Sequence, residues 1–300
     1  MNAVPQIHAG PFPVRTVLLV GGDPTVEALL KDVLAPGDWA IAHAPHNVAA
    51  LTLARRKPFD LIVTSEKSSG AEDIQLLRKI RLVRPHTRLI ILTDESAPGD
   101  VITAMRERAF SYFSKPYSKD TLAQMIWNAI TAPSWDDGIE VISATPEWIR
   151  VAVRCDSKTA DRLLQFLEEI ADLPDPERGA VSTASREMLL NAIEHGGGFD
   201  PGKSVEISYV RARHMVTCTI SDPGGGFTLD EIPHAAIANP SEDPIQHLAY
   251  RETHGMRPGG YGVLLAQKLV DELIYSQKGN EVVLVKYLQL DPRVPRDPGQ

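Results

Sequence analysis

Three groups of residues in the second half of the chain have types and spacings that could do chemistry. They are E-x-x-x-N-A-x-x-H (Glu187, Asn191, Ala192, His195), D-P-G-G-G-F (222–227) and P-G-G-Y-G-V-x-L (258–265). A carboxylate can draw a proton from a hydroxyl or a water, which is the task of a general base, and Glu187 is placed to do so. An amide oxygen such as that of Asn191 is a hard ligand suited to Mg²⁺, an ion that keeps several waters and shares its sites with nucleotide phosphates. Asp222 can accept hydrogen bonds from an exocyclic purine amine and from water. The glycines after it let backbone approach a ligand with no Cβ in the way. Gly259, Gly260 and Gly262 precede an apolar helix, so the free N–H groups of its first turn would face whatever anion lies in the loop. A phosphate chain fits there.

The elements that must position these groups follow from the local pattern. Residues 181–195 contain neither Gly nor Pro and are closed by Gly196, Gly197 and Gly198, which predicts a helix with a glycine stop. At 3.6 residues per turn, Glu187, Asn191 and Glu194 or His195 share one face, while Leu189, Leu190 and Ile193 turn toward a core. Residues 205–220 alternate as two strands turning near 211–214, which puts Asp222 at a strand end. A further helix is predicted over 263–273. Upstream, 139–143 and 149–154 alternate like strands, and Asp156 or Ser157 can cap a helix over 158–170 that packs through Leu163, Leu164, Phe166, Leu167 and Ile170. His195 reads as a helix-end residue in a supporting role and His254 as a surface histidine.

The three boxes, in this order, resemble the N, G1 and G2 boxes of the GHKL ATPase superfamily shared by gyrase, Hsp-type chaperones, histidine kinases and MutL. The nearer likeness is to its anti-sigma-factor serine kinase branch, and three boxes in order say more than one Gly-rich loop would. The resemblance covers about 137–290 and includes the strand G-N-E-V-V-L-V-K (279–286) and Asp271 in the helix after the third box. It implies an α/β two-layer sandwich over 139–290 that takes ATP and Mg²⁺. In that likeness Asp222 binds adenine, Asn191 holds Mg²⁺, Glu187 is the catalytic base, and Gly224, Gly226, Gly259, Gly260 and Gly262 line the phosphates. Asn280 departs from the pattern, standing where many relatives have a threonine that helps to hold adenine. The segment 228–257, with Pro233, Pro240 and Pro244, is long, and in the family it would be the lid over the nucleotide. The implied partner is a protein regulator, an anti-anti-sigma-like protein or a sigma factor, and the resemblance alone implies a homodimer. The alternative is a non-catalytic ATP-sensing scaffold that sequesters its partner. A histidine-kinase-like phosphorelay is disfavoured, since no helical hairpin with an acceptor histidine precedes Ile139.

The first half alternates five predicted strands (15–20, 39–44, 60–64, 88–93, 111–114) with five helices (25–34, 48–57, 71–83, 100–108, 119–130), the rhythm of an open parallel sheet covered on both faces. Residues 15–132 resemble a response-regulator receiver domain of flavodoxin-like (βα)5 fold, on that rhythm, Thr93 ending the fourth strand, Tyr112 in the fifth and the Lys115-Pro116 pair after it. A receiver needs an Asp at the end of the third strand and an acidic pair after the first. Here the third strand ends in Ser65, and Gly21 and Gly22 replace the acidic pair, leaving Asp23. A serine hydroxyl forms no acyl phosphate, and one carboxylate is a poor cage for Mg²⁺. The expectation is a pseudo-receiver that works by binding; Glu66 or Asp23 as an unusual acceptor, or Ser65 as a kinase target, are the rescue readings.

Composition narrows the class further. The formal net charge is −8, and no Lys/Arg cluster resembles a nucleic-acid footprint, the run Arg55, Arg56, Lys57 reading as a solvated helix end. No apolar run reaches the ~20 residues of a membrane span, and no signal-peptide pattern opens the chain, so a cytoplasmic protein with no membrane or nucleic-acid partner is expected. Cys155 and Cys218 read as reduced, buried thiols rather than a redox or metal pair. Residues 1–14 and 291–300 read as disordered tails, and 133–138 as a short linker.

Overall fold

The computed structural model describes residues 15–34, 39–65, 68–95, 97–131, 137–171, 173–174, 176–227, 235–239, 243, 245–254 and 260–288. They fall into two compact units, one within Met1–Ser96 and Glu107–Asp136, the other within Ala97–Arg106 and Asp137–Gln300. The expected tails, most of the 133–138 linker and much of the lid segment lie outside the described residues.

In the first unit, β1 (Arg15–Val20), β2 (Trp39–Ala44), β3 (Leu61–Val63), β4 (Arg88–Thr93) and β5 (Ser111–Ser114) form a sheet of order β2-β1-β3-β4-β5. All its pairings are parallel. The strand sequences are unbroken apolar runs because both faces are covered. Val17, Leu19, Leu61, Val63, Ile90 and Leu92 face α1 (Pro24–Val33) and α5 (Lys119–Thr131), meeting Leu30, Leu122 and Ile126. α2 (Asn47–Arg56) and α3 (Gly70–Val83) bury Ala50, Ala54, Leu77 and Ile80 in turn. α3 starts at Ser69, whose side chain and that of Glu72 form a reciprocal capping box. α4 (Pro98–Arg106) connects β4 to β5 along the chain.

The second unit carries an antiparallel sheet of order β10-β11-β9-β8-β7-β6. Its strands are β6 (Ile139–Thr145), β7 (Trp148–Arg154), β8 (Ser204–Arg211), β9 (Met215–Ser221), β10 (Glu272–Tyr275) and β11 (Glu281–Tyr287). Alternate residues such as Ile149, Val151, Val205, Ile207, Cys218 and Leu284 are buried. That is the period-2 signature of a sheet packed on one face. The covering helices are α6 (Ser157–Ala171), α7 (Glu177–Asn191) and, beyond the short α8 (Gln246–Thr253), α9 (Gly262–Leu269). Asp156 is the residue that caps α6, its carboxylate accepting from the Thr159 amide at 2.8 Å and the Thr159 hydroxyl at 2.6 Å. The architecture is an α/β two-layer sandwich.

One expected element is different. The helix predicted over 263–273 ends at Leu269, and Leu273 lies in β10, paired with Leu284 of β11. Asp271 is therefore not helical. Its N–H donates to the Val285 carbonyl at 2.9 Å, and its carboxylate accepts from the Tyr287 amide at 2.6 Å. An open ladder on β11 overrides the helical propensity of a short apolar run.

Candidate functional site

α7 carries the first group of residues. Glu187 and Asn191 lie one turn apart on one face, and the helix then widens into a single π turn, Ala192–Gly196, with the Gly197 amide reaching back to the Ala192 carbonyl at 2.8 Å. The extra residue shifts the phase of the helix end, a distortion that recurs at functional sites. Glu187, Asn191, Glu194, His195 and Gly196 consequently line one cavity of about 360 Å³. Ligand pockets typically start near ~300 Å³, so the space suits a small molecule.

At one end of the cavity stands Asp222, which directly follows β9. Its amide donates to the Asn280 carbonyl at 2.9 Å, and its Oδ1 accepts from the Gly224 amide at 2.7 Å. Burial raises the Asp222 carboxyl above its usual range, against the opposing pull of the Gly224 amide and the Lys278 charge. Gly196 presses on it: a Cβ there would lie 2.2 Å from Asp222 Oδ1 and 2.5 Å from Asp222 Cβ. Only glycine fits. Ile220, Met188, Val282 and Tyr275 supply apolar wall around the carboxylate. The Tyr275 hydroxyl, pushed up to about 12 by burial, donates to Met188 Sδ at 3.4 Å, and its ring meets Phe227 edge-on at 5.3 Å. A cavity with apolar wall and a half-buried carboxylate can take a heteroaromatic ring bearing an amine.

At the other end, the start of α9 meets α7. A Cβ on Gly262 would lie 2.7 Å from Glu187 Oε2 and 3.7 Å from Asn191 Nδ2. Tyr261, the cap residue, makes no side-chain cap bond, so the first N–H groups of α9 are left for a ligand. Gly260 has φ +91° and accepts the Ala236 amide at 2.8 Å. A carboxylate, an amide and an uncapped helix start thus converge where a phosphate chain would lie.

All but one of the expected site residues can be placed. Glu187, Asn191, Asp222, Gly224, Gly226, Gly260 and Gly262 all line the cavity, and Gly259 lies outside the described residues. Gly226 (φ +81°) also has a second reason to be glycine: a Cβ there would lie 1.8 Å from the Lys278 carbonyl oxygen. His195 lines the cavity, whereas His254 is exposed and stacks on Tyr250. Sequence reasoning missed Gly196, Met188 and Tyr275. The first was visible as part of a glycine run, but nothing in the spacing marked the other two. Among the described residues no group of His, Cys, Asp or Glu forms a metal cluster, and Cys155 and Cys218 are both buried and free.

The first unit has its own position to test. Asp23 is occupied as the cap of α1, its Oδ1 accepting from the Thr25 amide at 2.7 Å and the Val26 amide at 3.2 Å. Ser65, beyond the end of β3, is buried, and the Lys115 ammonium pairs with Asp94 at 3.2 Å. Glu66 lies outside the described residues.

Comparison with known proteins agrees with both halves. Residues 17–127 match the response regulator receiver domain family, and residues 152–286 match the histidine kinase-like ATPase domain family. The chain joins a receiver domain to a histidine kinase-like ATPase domain. Among curated relatives, the chain is similar to the transcriptional regulatory protein GlrR of Escherichia coli, 30% identical over 123 residues, covering 40% of this chain and 28% of that one. The transcriptional regulatory protein TrcR of Mycobacterium tuberculosis is 27% identical over 203 residues, covering 64% of this chain and 77% of that one. The chain thus spans little more than a quarter, 28%, of the length of GlrR. A response regulator from Thermotoga maritima aligns with 24% identity and a TM-score of 0.35, over 40% of this chain and 99% of that one. A histidine kinase-like ATPase domain implies ATP binding. No helix among the described residues is long and apolar enough to cross a membrane.

Proposed function

We propose that the ATPase domain is a protein serine/threonine kinase of the anti-sigma-factor type, acting on an anti-anti-sigma-like protein, and that the receiver domain is a pseudo-receiver that works by binding. The observation that carries the reading is the meeting of Glu187 and Asn191 with Gly262 at the start of α9, opposite Asp222. The residues fit Mg·ATP: glycines stand wherever a Cβ would fill the cradle, Asp222 faces the base end, and the Asn191 oxygen is a suitable hard ligand. When bound, Mg²⁺ neutralises charge on the transferring phosphoryl group.

The work left to the chain is positioning and proton transfer. Glu187 takes the proton of the incoming serine hydroxyl, so that its oxygen forms the new bond to phosphorus as the bond to ADP breaks. The α9 N–H groups and the glycine turn hold the phosphates in line. Asp222 orients the base. In the receiver domain, Asp23 is committed to capping α1 and no carboxylate occupies position 65, which supports a domain that does not take phosphate.

The test is incubation of the full chain with Mg·ATP and its cognate partner. The expected product is acid-stable phosphoserine on the partner, absent with Glu187→Gln. Tight ATP binding without transfer, with a Glu187→Gln variant that still switches its partner, would instead establish an ATP-sensing scaffold. Acid-labile phosphate would point to a phosphorelay.

A further inference from the structure

The loop that presents Asp222 is clamped from one side by the turn between β10 and β11. The Asp222 amide donates to the Asn280 carbonyl at 2.9 Å, and Asn280 Nδ2 returns a bond to the Asp222 carbonyl at 3.3 Å. Lys278 Nζ donates to the Gly224 carbonyl at 3.2 Å. Two glycines allow the backbones to touch: a Cβ on Gly226 would lie 1.8 Å from the Lys278 carbonyl oxygen, and one on Gly279 would lie 2.0 Å from the Phe227 carbonyl oxygen. The loop cannot shift without the turn.

This clamp also delivers a charge. Gly224 joins the two groups, its carbonyl bonded to the Lys278 ammonium and its amide bonded at 2.7 Å to Asp222 Oδ1. A half-buried carboxylate is costly to ionise, and only its ionised form accepts through both oxygens. We propose that Lys278 and Asn280 are positioning residues for base recognition: Asn280 fixes the Asp222 backbone, and Lys278 holds the Asp222 carboxylate in its accepting, ionised form, setting the lower pH limit of nucleotide binding. This rests on the nucleotide reading of the cavity. The other ionisable groups on the same cavity are Glu187 of α7, Glu194 and His195 of the π turn, Tyr275 of β10 and Glu281 of β11, and the Cys155 thiol lies under Gly197 beside that turn. They are constant across the variants below, so a difference between variants reports Lys278.

The experiment is calorimetric titration of ADP into the full chain from neutral pH down through the ordinary carboxylate range, for wild type, Lys278→Gln, Lys278→Arg and Asn280→Ala. Wild-type affinity falls as the pH drops through the Asp222 range. In Lys278→Gln the midpoint of that fall moves up by about 0.2–0.7 pH units, the effect of one exposed charge, and Lys278→Arg restores it. Asn280→Ala weakens binding at every pH and leaves the midpoint where it was. If wild type binds but the Lys278→Gln profile superimposes on it, or the Arg and Gln variants behave alike, the role of Lys278 is refuted while the cavity stands. If wild type binds no ADP at any pH, the nucleotide reading falls and this proposal with it.

Discussion

Gly196→Ala is the most demanding perturbation of the site, because a single added methyl group meets the base-recognising carboxylate head-on. The new Cβ would lie 2.2 Å from Asp222 Oδ1, 2.3 Å from Asp222 Cγ and 2.5 Å from Asp222 Cβ. Carbon contacts sit near ~3.5–4.0 Å, so about 1 Å of displacement is required. Rotation of the carboxylate cannot supply it, since Asp222 Cβ is itself too close and its backbone is tied to Asn280. Either Asp222 and its strand end move, or the π turn does. Overpacking of this kind costs about 1–3 kcal/mol of stability. Loss of one hydrogen bond to a charged acceptor, at about 1.5–3 kcal/mol, weakens nucleotide binding by about 10- to 150-fold. Gly179→Ala is the control: that position lies on the same helix away from the cavity, has no neighbour within 4 Å and no positive φ, so it should leave affinity unchanged and, as a helix-interior substitution, raise stability by up to about 1 kcal/mol. Thermal unfolding and ATP calorimetry on the two variants decide the matter. Equal affinities for Gly196→Ala and Gly179→Ala would refute the placement of Asp222 at the base.

Further expectations follow from the same geometry. Asp222→Asn should abolish most ATP affinity, by about 10- to 150-fold, as measured by calorimetry. It should also stabilise the free protein at neutral pH. Burial raises the Asp222 carboxyl in the fold, so ionisation costs stability as pH rises through and above the window between the ordinary and the raised value, while below the ordinary carboxylate range both proteins are neutral there. The gain in melting temperature of Asp222→Asn should therefore be present at pH 7.5 and vanish near pH 3, and a gain independent of pH would reject the cause. Asn191→Ala should reduce ATP affinity at least about tenfold in Mg²⁺ and little in EDTA, which separates metal holding from general packing. Arg162 donates to the Asp137 carbonyl and to Asp137 Oδ1, each at 2.6 Å, with both residues buried. Arg162→Met leaves that carboxylate stranded and should cost the ATPase domain about 3–5 kcal/mol in urea unfolding, partly recovered by adding Asp137→Asn.

Much of this was readable from sequence because the signals were local. The parallel sheet announces itself by strands such as Leu61–Val63 that are apolar throughout, and the antiparallel one by the alternation in Trp148–Arg154. Glu187 and Asn191 share a face by simple helical arithmetic, and Asp222 falls after a strand because the alternation stops there. What was hidden depended on distant partners. β10 exists because β11 offers it a ladder, so the apolar run through Leu273 read as helix. Met188 and Tyr275 look like ordinary core residues until the fold brings them together at 3.4 Å across 87 positions of sequence. Gly196 reads as a helix stop, and only the tertiary contact shows that the missing Cβ makes room for a carboxylate.

The two domains place their acidic groups in different surroundings, and the difference bears on which of them does chemistry. In the receiver domain Asp23 obeys a local rule, spending its carboxylate on two amides of the helix it caps, and the buried Asp73 is held by Asn47 Nδ2 at 2.7 Å and Ser68 Oγ at 2.6 Å. Burial raises the Asp73 carboxyl as it raises that of Asp222, but the bonds of Asp73 go to side chains of its own domain and it does not line the cavity. In the ATPase domain the helix end is widened into a π turn, five cavity-lining glycines (Gly196, Gly224, Gly226, Gly262 and Gly279) stand where a Cβ would clash, and a carboxylate is kept half-buried against the cost of its own ionisation. None of these choices favours stability, and each faces the cavity. A buried carboxylate alone does not separate the domains, since Asp73 bears the same cost; the π turn, the glycines and Asp222 meeting on one cavity are what argue that the ATPase domain holds the working site.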